Sequence, residues 1–181
     1  MTKPYMERAL FIVGDQNTGK STQLRSMFLD WRLGKGGVVP TARNVQNAYA
    51  ISNERWLYLR LTSPHEAGET TNQFLNKCAA TMQSNGSLAR RWNFAGPLQP
   101  TGTGRIPAAP DVVEAFAKRF APERIRVAIL NPDRHGDWMS QADLLAITAA
   151  FRNMPSAEVV AVDATSRTAN GLMYADFFDF T

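Results

Sequence analysis

The sequence predicts an α/β fold of three layers: a mostly parallel central sheet, helices on both of its faces, and one antiparallel β-hairpin. Three observations carry this expectation. Short runs of β-branched and aromatic residues alternate along the chain with stretches of helical periodicity. Strands joined through a helix need crossover connections and so pair in parallel. The polar turn Ser52-Asn53-Glu54-Arg55 instead joins Tyr49–Ile51 directly to Trp56–Leu61, which fits a hairpin. At 181 residues the chain has the size of one domain, 1–181, with a loop-rich insert at about 85–110.

Taken in order, Ala9 to Val13 (ALFIV) reads as a buried first strand. Leu24, Met27, Phe28 and Trp31 then fall at i, i+3, i+4 and i+7, an apolar helix stripe closed by Gly34 and Gly36-Gly37. The hairpin follows. Phe74, Leu75, Cys78 and Met82 form a second helix stripe ending near Gly86. Residues 95–110 hold four prolines and three glycines and read as a functional loop. Asp111 caps a helix carrying Val112, Val113, Phe116 and Phe120, and Arg124–Leu130 is a strand. Ser140 with Asp143 opens another helix through Phe151, Glu158–Val162 is the last strand, and Leu172–Phe180 is a terminal helix.

Composition excludes several function classes. With 44% apolar and 20% charged residues the chain can bury a core, and no apolar run approaches the ~20 residues of a membrane helix. The N-terminal MTKPYMERALFIVGDQ lacks a secretory pattern, so a cytoplasmic protein is expected. One cysteine, Cys78, and two histidines, His65 and His135, do not make a zinc-ligand set, and Cys78 on an apolar helix face is read as core. Residues 1–126 carry 17 Lys+Arg against 9 Asp+Glu, whereas 127–181 carry 3 against 7. The basic excess is N-terminal, where it can serve a bound anion, nucleic acid or a solvated surface.

Between the first strand and first helix stands Gly14-Asp15-Gln16-Asn17-Thr18-Gly19-Lys20-Ser21, G-x-x-x-x-G-K-[ST] in full. The residue types fit a phosphate: the glycines let consecutive backbone N–H groups turn inward. Lys20 supplies a full charge, and the Ser21 hydroxyl can ligate Mg²⁺. A chance match in a chain of this length is on the order of one in a hundred.

On this motif the chain resembles the P-loop NTPase superfamily, and the resemblance implies ATP or GTP with Mg²⁺, bound by residues 14–21 and Thr22. GKSTQ at Gly19–Gln23, with Asp163-Ala164 after the last strand, is similar to nucleoside and nucleotide kinases, and the Asp163-Ala164-Thr165 turn can serve as a base-contacting loop in these or in small GTPases. The kinase likeness gives the 85–110 segment, with Arg90, Arg91 and Arg105, a lid or acceptor-binding role; Trp92 and Phe94, beside Arg90 and Arg91, read first as a packed strand or loop anchor, with stacking on a base as the alternative. The hairpin instead resembles small GTPases, in which Thr41 matches a metal-binding switch threonine and Asn131 the start of a guanine motif. Here Asn131-Pro132-Asp133-Arg134 lacks that motif's lysine and ends in arginine. Neither Leu61-Thr62-Ser63 nor Leu130-Asn131-Pro132 places an acid directly at a strand end, which leaves Glu66 and Asp133 as candidates to hold the metal or orient water. The expected function is an Mg²⁺-dependent NTPase or kinase-like enzyme with Lys20, Glu66 and Asp133 in its site. The alternative is a nucleotide switch acting through a protein partner; nucleic acid ranks below both.

Overall fold

The computed structural model describes residues 5–42, 47–85, 89–178 and 180. Its sheet has six strands, β1 (Tyr5–Val13), β2 (Ala48–Ala50), β3 (Arg55–Leu59), β4 (Arg91–Leu98), β5 (Arg124–Leu130) and β6 (Ala157–Val162), in the order β2-β3-β4-β1-β5-β6. All neighbours pair in parallel except β2 and β3, the expected hairpin. The helices are α1 (Lys20–Ser26), α2 (Thr71–Ser84), α3 (Ala109–Phe120), α4 (Gln141–Arg152) and α5 (Gly171–Ala175). None is long and apolar enough to cross a membrane among the described residues.

β1 explains the layering. Its side chains alternate between two cores: Ala9, Phe11 and Val13 pack with α2, α3 and α4, while Leu10 and Ile12 pack with α1 and α5. Such a strand must be apolar throughout, as ALFIV is. The chain leaves β1 across the α1 face to reach β3, then steps through β4, β5 and β6 across the opposite face. Outward on one face and back on the other gives the parallel crossovers a single hand.

Four expectations need correction. Residues 95–98 are not loop: they complete β4, whose residues 92–98 are buried beside β1. Pro97 fits there because β3 stops pairing at Leu59↔Ala95, so residues 96–98 are paired on the β1 side alone and the absent N–H costs no second ladder. Trp31 is 74% exposed and not core. α1 ends at Ser26, and after a 3₁₀ turn the extended backbone at Asp30 turns Trp31 off the stripe; the Asp30 carboxylate accepts from Arg32 N at 3.0 Å and opens a further 3₁₀ turn. Asp111 lies in the first turn of α3 and its N-cap is Ala108, since Pro110 already sits in the helix. The terminal helix spans only Gly171–Ala175. The Ser140 cap holds, its hydroxyl accepting from Asp143 N at 3.1 Å, and α2 carries a full capping box of Thr70 and Gln73.

α5 reaches the α1 layer through a very close contact. A Cβ on Gly171 would stand 2.1 Å from the Ser26 carbonyl oxygen, which is backbone and cannot rotate away. Gly171→Ala is therefore expected to lower stability by ~1–3 kcal/mol through forced separation of the two segments. Urea unfolding checks this, and unchanged stability would show that the segments do not pack so closely.

Candidate functional site

The loop 14–21 leaves the C-terminal end of β1. Gly14 N–H donates to Leu98 O at 3.2 Å and ties the loop to the end of β4. A Cβ on Gly14 would meet Thr18 Oγ1 at 2.6 Å, so the close turn requires glycine. Thr18 Oγ1 donates to Asp15 O at 2.7 Å, while Asn17 (φ 65°) and Gly19 (φ 98°) take left-handed backbone. The turn delivers Lys20 inward. Its side chain is 4% exposed, its ammonium donates to Asp15 O, and it lies 3.4 Å from Glu66 Oε1. Burial pulls the Lys20 pKa below its ordinary value, and the Glu66 carboxylate opposes that pull.

The segment after β3 sets Glu66 in place. Ser63 Oγ accepts from Glu66 N at 3.1 Å. Beside it, buried His65 donates from Nε2 to Pro107 O at 2.9 Å and accepts at Nδ1 from Gln99 N at 3.4 Å. The neutral ring with its proton on Nε2 serves both bonds, and this joins the loops that follow β3 and β4.

On the other side, the loops after β5 and β6 close over α1. Arg134 N donates to Thr18 O at 3.2 Å, and the Arg134 side chain lies so near Gly19 that a Cβ there would come within 3.1 Å of Arg134 Cβ. Gln23 donates to Ser166 O at 2.8 Å and accepts from Asn170 at 3.1 Å, which fixes the 163–167 turn. Within that turn Asp163 Oδ1 accepts from the Thr165 N–H and hydroxyl, and these bonds hold its carboxyl below the usual carboxylate range.

Two cavities adjoin at Gly19 and Arg134. The smaller, about 210 Å³, is lined by Gln16, Asn17, Lys20, Ser21, Glu66 and Arg134 among others. The larger, about 460 Å³, is lined by Thr22, Gln23, Arg134, His135, Ala164, Thr165 and Arg167 as well as Gly19. A third cleft, about 550 Å³, lies between the last turns of α3 and α4, and the two charges on its wall, Glu114 and Lys118, pair with each other at 2.6 Å. It offers no comparable chemistry. The chain matches no family model, no curated protein and no solved structure.

Several sequence expectations do not converge on the cavities. Asp133 lines neither: its Oδ1 accepts from His135 N at 2.7 Å and Asp137 N at 3.1 Å and so builds its own turn. Asn131 Oδ1 is taken by Met139 N at 2.8 Å, and Thr41 is exposed and lines neither cavity. Arg90 and Arg91 stand at the start of β4, roughly 23 Å of strand from its C-terminal end, paired with Glu54 and Glu7, which removes them from a lid. Trp92 and Phe94 are core, as the packed reading of them expects and base stacking does not, and Arg105 bonds Gly68 O at 3.0 Å. In their place the structure brings in Arg134 and Arg167. Sequence reasoning took Arg134 only as a defect in a guanine motif; its position shortly after the end of an apolar strand was the available signal, and the same holds for Arg167 after β6.

Among the described residues no three His, Cys, Asp or Glu side chains converge on a metal position. Ser21 and Glu66 nonetheless present two oxygen groups in the smaller cavity, a donor set that suits Mg²⁺, which keeps most of its shell as water and phosphate oxygens.

Buried His65 has its pKa pushed down, first by desolvation and also by the Lys20 charge. A group whose folded pKa is depressed stabilises the fold above its unfolded value, about 6.5 for histidine. That contribution is lost as pH falls from 6.5 through the folded value. Chemical denaturation at pH 7.5 and pH 5.5 is expected to show a loss in the parent that is smaller in His65→Gln, and equal losses would remove His65 as the cause.

Proposed function

We propose that the smaller cavity binds the phosphates of a Mg²⁺-nucleoside triphosphate, and that the protein cleaves or transfers the terminal phosphoryl group. One observation carries the reading: an almost fully buried ammonium, Lys20, sits in a glycine-turned loop beside an open cavity with one carboxylate at 3.4 Å. A buried cation is costly unless an anion meets it, and a phosphate supplies charge and acceptors together. Arg134 adds a second cation at the cavity wall. Phosphoryl transfer depends chiefly on positioning and charge stabilisation, which these groups supply.

Roles follow from placement. Lys20 neutralises phosphate oxygens; Ser21 and Glu66 would hold the metal, which supplies Lewis-acid polarisation of the phosphoryl group. Glu66 is also the acid within reach of an attacking water or hydroxyl. Part of the N-terminal basic excess is taken up by ion pairs within the fold rather than left for nucleic acid: Arg55 and Arg91 share Glu7, Arg60 and Lys77 share Glu69, and Arg90 meets Glu54.

Thermal shift and calorimetry with ATP, GTP and their diphosphates, with and without Mg²⁺, test the reading. A ligand at 100 times its Kd stabilises by ~2.7 kcal/mol, and Lys20→Ala is expected to abolish that gain. Glu66→Gln is expected to retain nucleotide binding while turnover falls by ~10²-fold or more. Equal nucleotide affinity in parent and Lys20→Ala would falsify the assignment.

A further inference from the structure

The larger cavity is unlike a pocket made for a neutral ring. Such pockets are walled mostly by apolar and aromatic side chains. Here Ala164 is the one aliphatic side chain on a wall that holds two arginines and a histidine, and no carboxylate lines it. Two of the polar groups are already committed, the Gln23 amide to Ser166 and Asn170 and the Thr165 hydroxyl to Asp163. Among the described residues the Arg134 side chain spends only Nε, on His135 Nε2 at 2.9 Å, with no partner there for its terminal nitrogens. Arg167 has no hydrogen bond or ion pair among the described residues.

Arg119 and Arg152 are likewise exposed with no carboxylate partner among the described residues, but neither lines a cavity beside the loop 14–21. Arg32 pairs with Asp30, Arg60 with Glu69 and Arg126 with Glu158. Two guanidinium groups on one cavity wall that holds no carboxylate suit a phosphate, which can accept charge-assisted bonds from each. Arg134 also lines the smaller cavity, so an anion held in the larger one would lie beside the proposed triphosphate site, within the span of a single ligand. A nucleotide whose 5′-phosphates fill the smaller cavity brings its ribose past Gly19 and Thr22 into the larger one.

We infer that the larger cavity selects a nucleotide carrying a further phosphate on its ribose, held by Arg134 and Arg167. The inference rests on the triphosphate reading of the smaller cavity and deepens it. Calorimetry on the full chain would compare adenosine and guanosine 5′-diphosphates with the same compounds bearing a 2′- or 3′-phosphate. The ribose phosphate is expected to tighten binding at least ~10-fold, the scale of hydrogen bonds to charged groups. Arg167 is exposed, so Arg167→Gln leaves the fold intact and is expected to cut that advantage below ~3-fold; Arg134→Gln weakens every ligand. Equal affinity with and without the ribose phosphate overturns the inference while leaving the triphosphate reading in place. An advantage that survives Arg167→Gln, or one matched by inorganic phosphate added beside the plain diphosphate, overturns it as well. Failure of every diphosphate to bind overturns both readings.

Discussion

Removing an ammonium from water costs several kcal/mol even after a protein relaxes around it, and at Lys20 that cost is met by few groups. The Asp15 carbonyl and the Glu66 carboxylate are the partners the structure supplies. Lys20 is held there by a chain of constraints that begins in β1. Because β1 is buried on both faces and flanked by strands on both edges, its end is fixed in the middle of the sheet. The left-handed backbone at Asn17 and Gly19 then turns the chain back, and α1 begins with its first side chain pointing inward. Moving any of these parts would move the charge.

The surrounding loops serve that charge from two directions. On the β3 and β4 side, a neutral histidine bridges the two loops, and Ser63 fixes the acid that faces Lys20. On the β5 and β6 side, Gln23 and Asn170 fasten the last turn while Arg134 leans on Gly19. The first side supplies a carboxylate and the second supplies guanidinium groups. On the proposed reading, this polarity would suit a polyanionic ligand lying along the top of the sheet, with reaction chemistry at the Glu66 end and recognition at the Arg167 end. Such a crevice, outside the carboxyl ends of strands whose connections turn to opposite faces, is the general ligand position of open α/β sheets.

Much of the fold was legible because its signals are local. A short uninterrupted apolar run before a glycine-rich turn fits a strand buried on both faces, the 49–61 pattern folds back on itself at a polar turn, and Ser140 announces a helix start through a bond to its own third residue. β4 was hidden because Gly96 and Pro97 read as breakers; their tolerance depends on β3 stopping short, which is a fact about a neighbour. Trp31 went astray for a similar reason, since one extended residue at Asp30 ends a periodicity that the apolar spacing continues. In the site, the loop 14–21 was readable as a contiguous motif, whereas Arg134 and Arg167 come from separate loops that only the strand order brings together.

The lack of an acid at the ends of β4 and β5 has a physical counterpart in the position of Glu66. β4 runs out into Gln99 and β5 into Asn131, whose polar atoms are engaged in joining loops: Gln99 N–H to His65 and Asn131 Oδ1 to Met139 N. Glu66 is instead carried by a short segment beyond β3 and is held chiefly by Lys20 itself. The counter-ion of the lysine and the acid of the site are thus one group. On the proposed reading, a phosphate that takes over Lys20 relieves Glu66 of its ion pair. The carboxylate then becomes free to accept a proton or a metal bond only when the ligand is in place. An acid built into a strand end would be available at all times; one borrowed from the lysine's ion pair is coupled to occupancy by electrostatics alone.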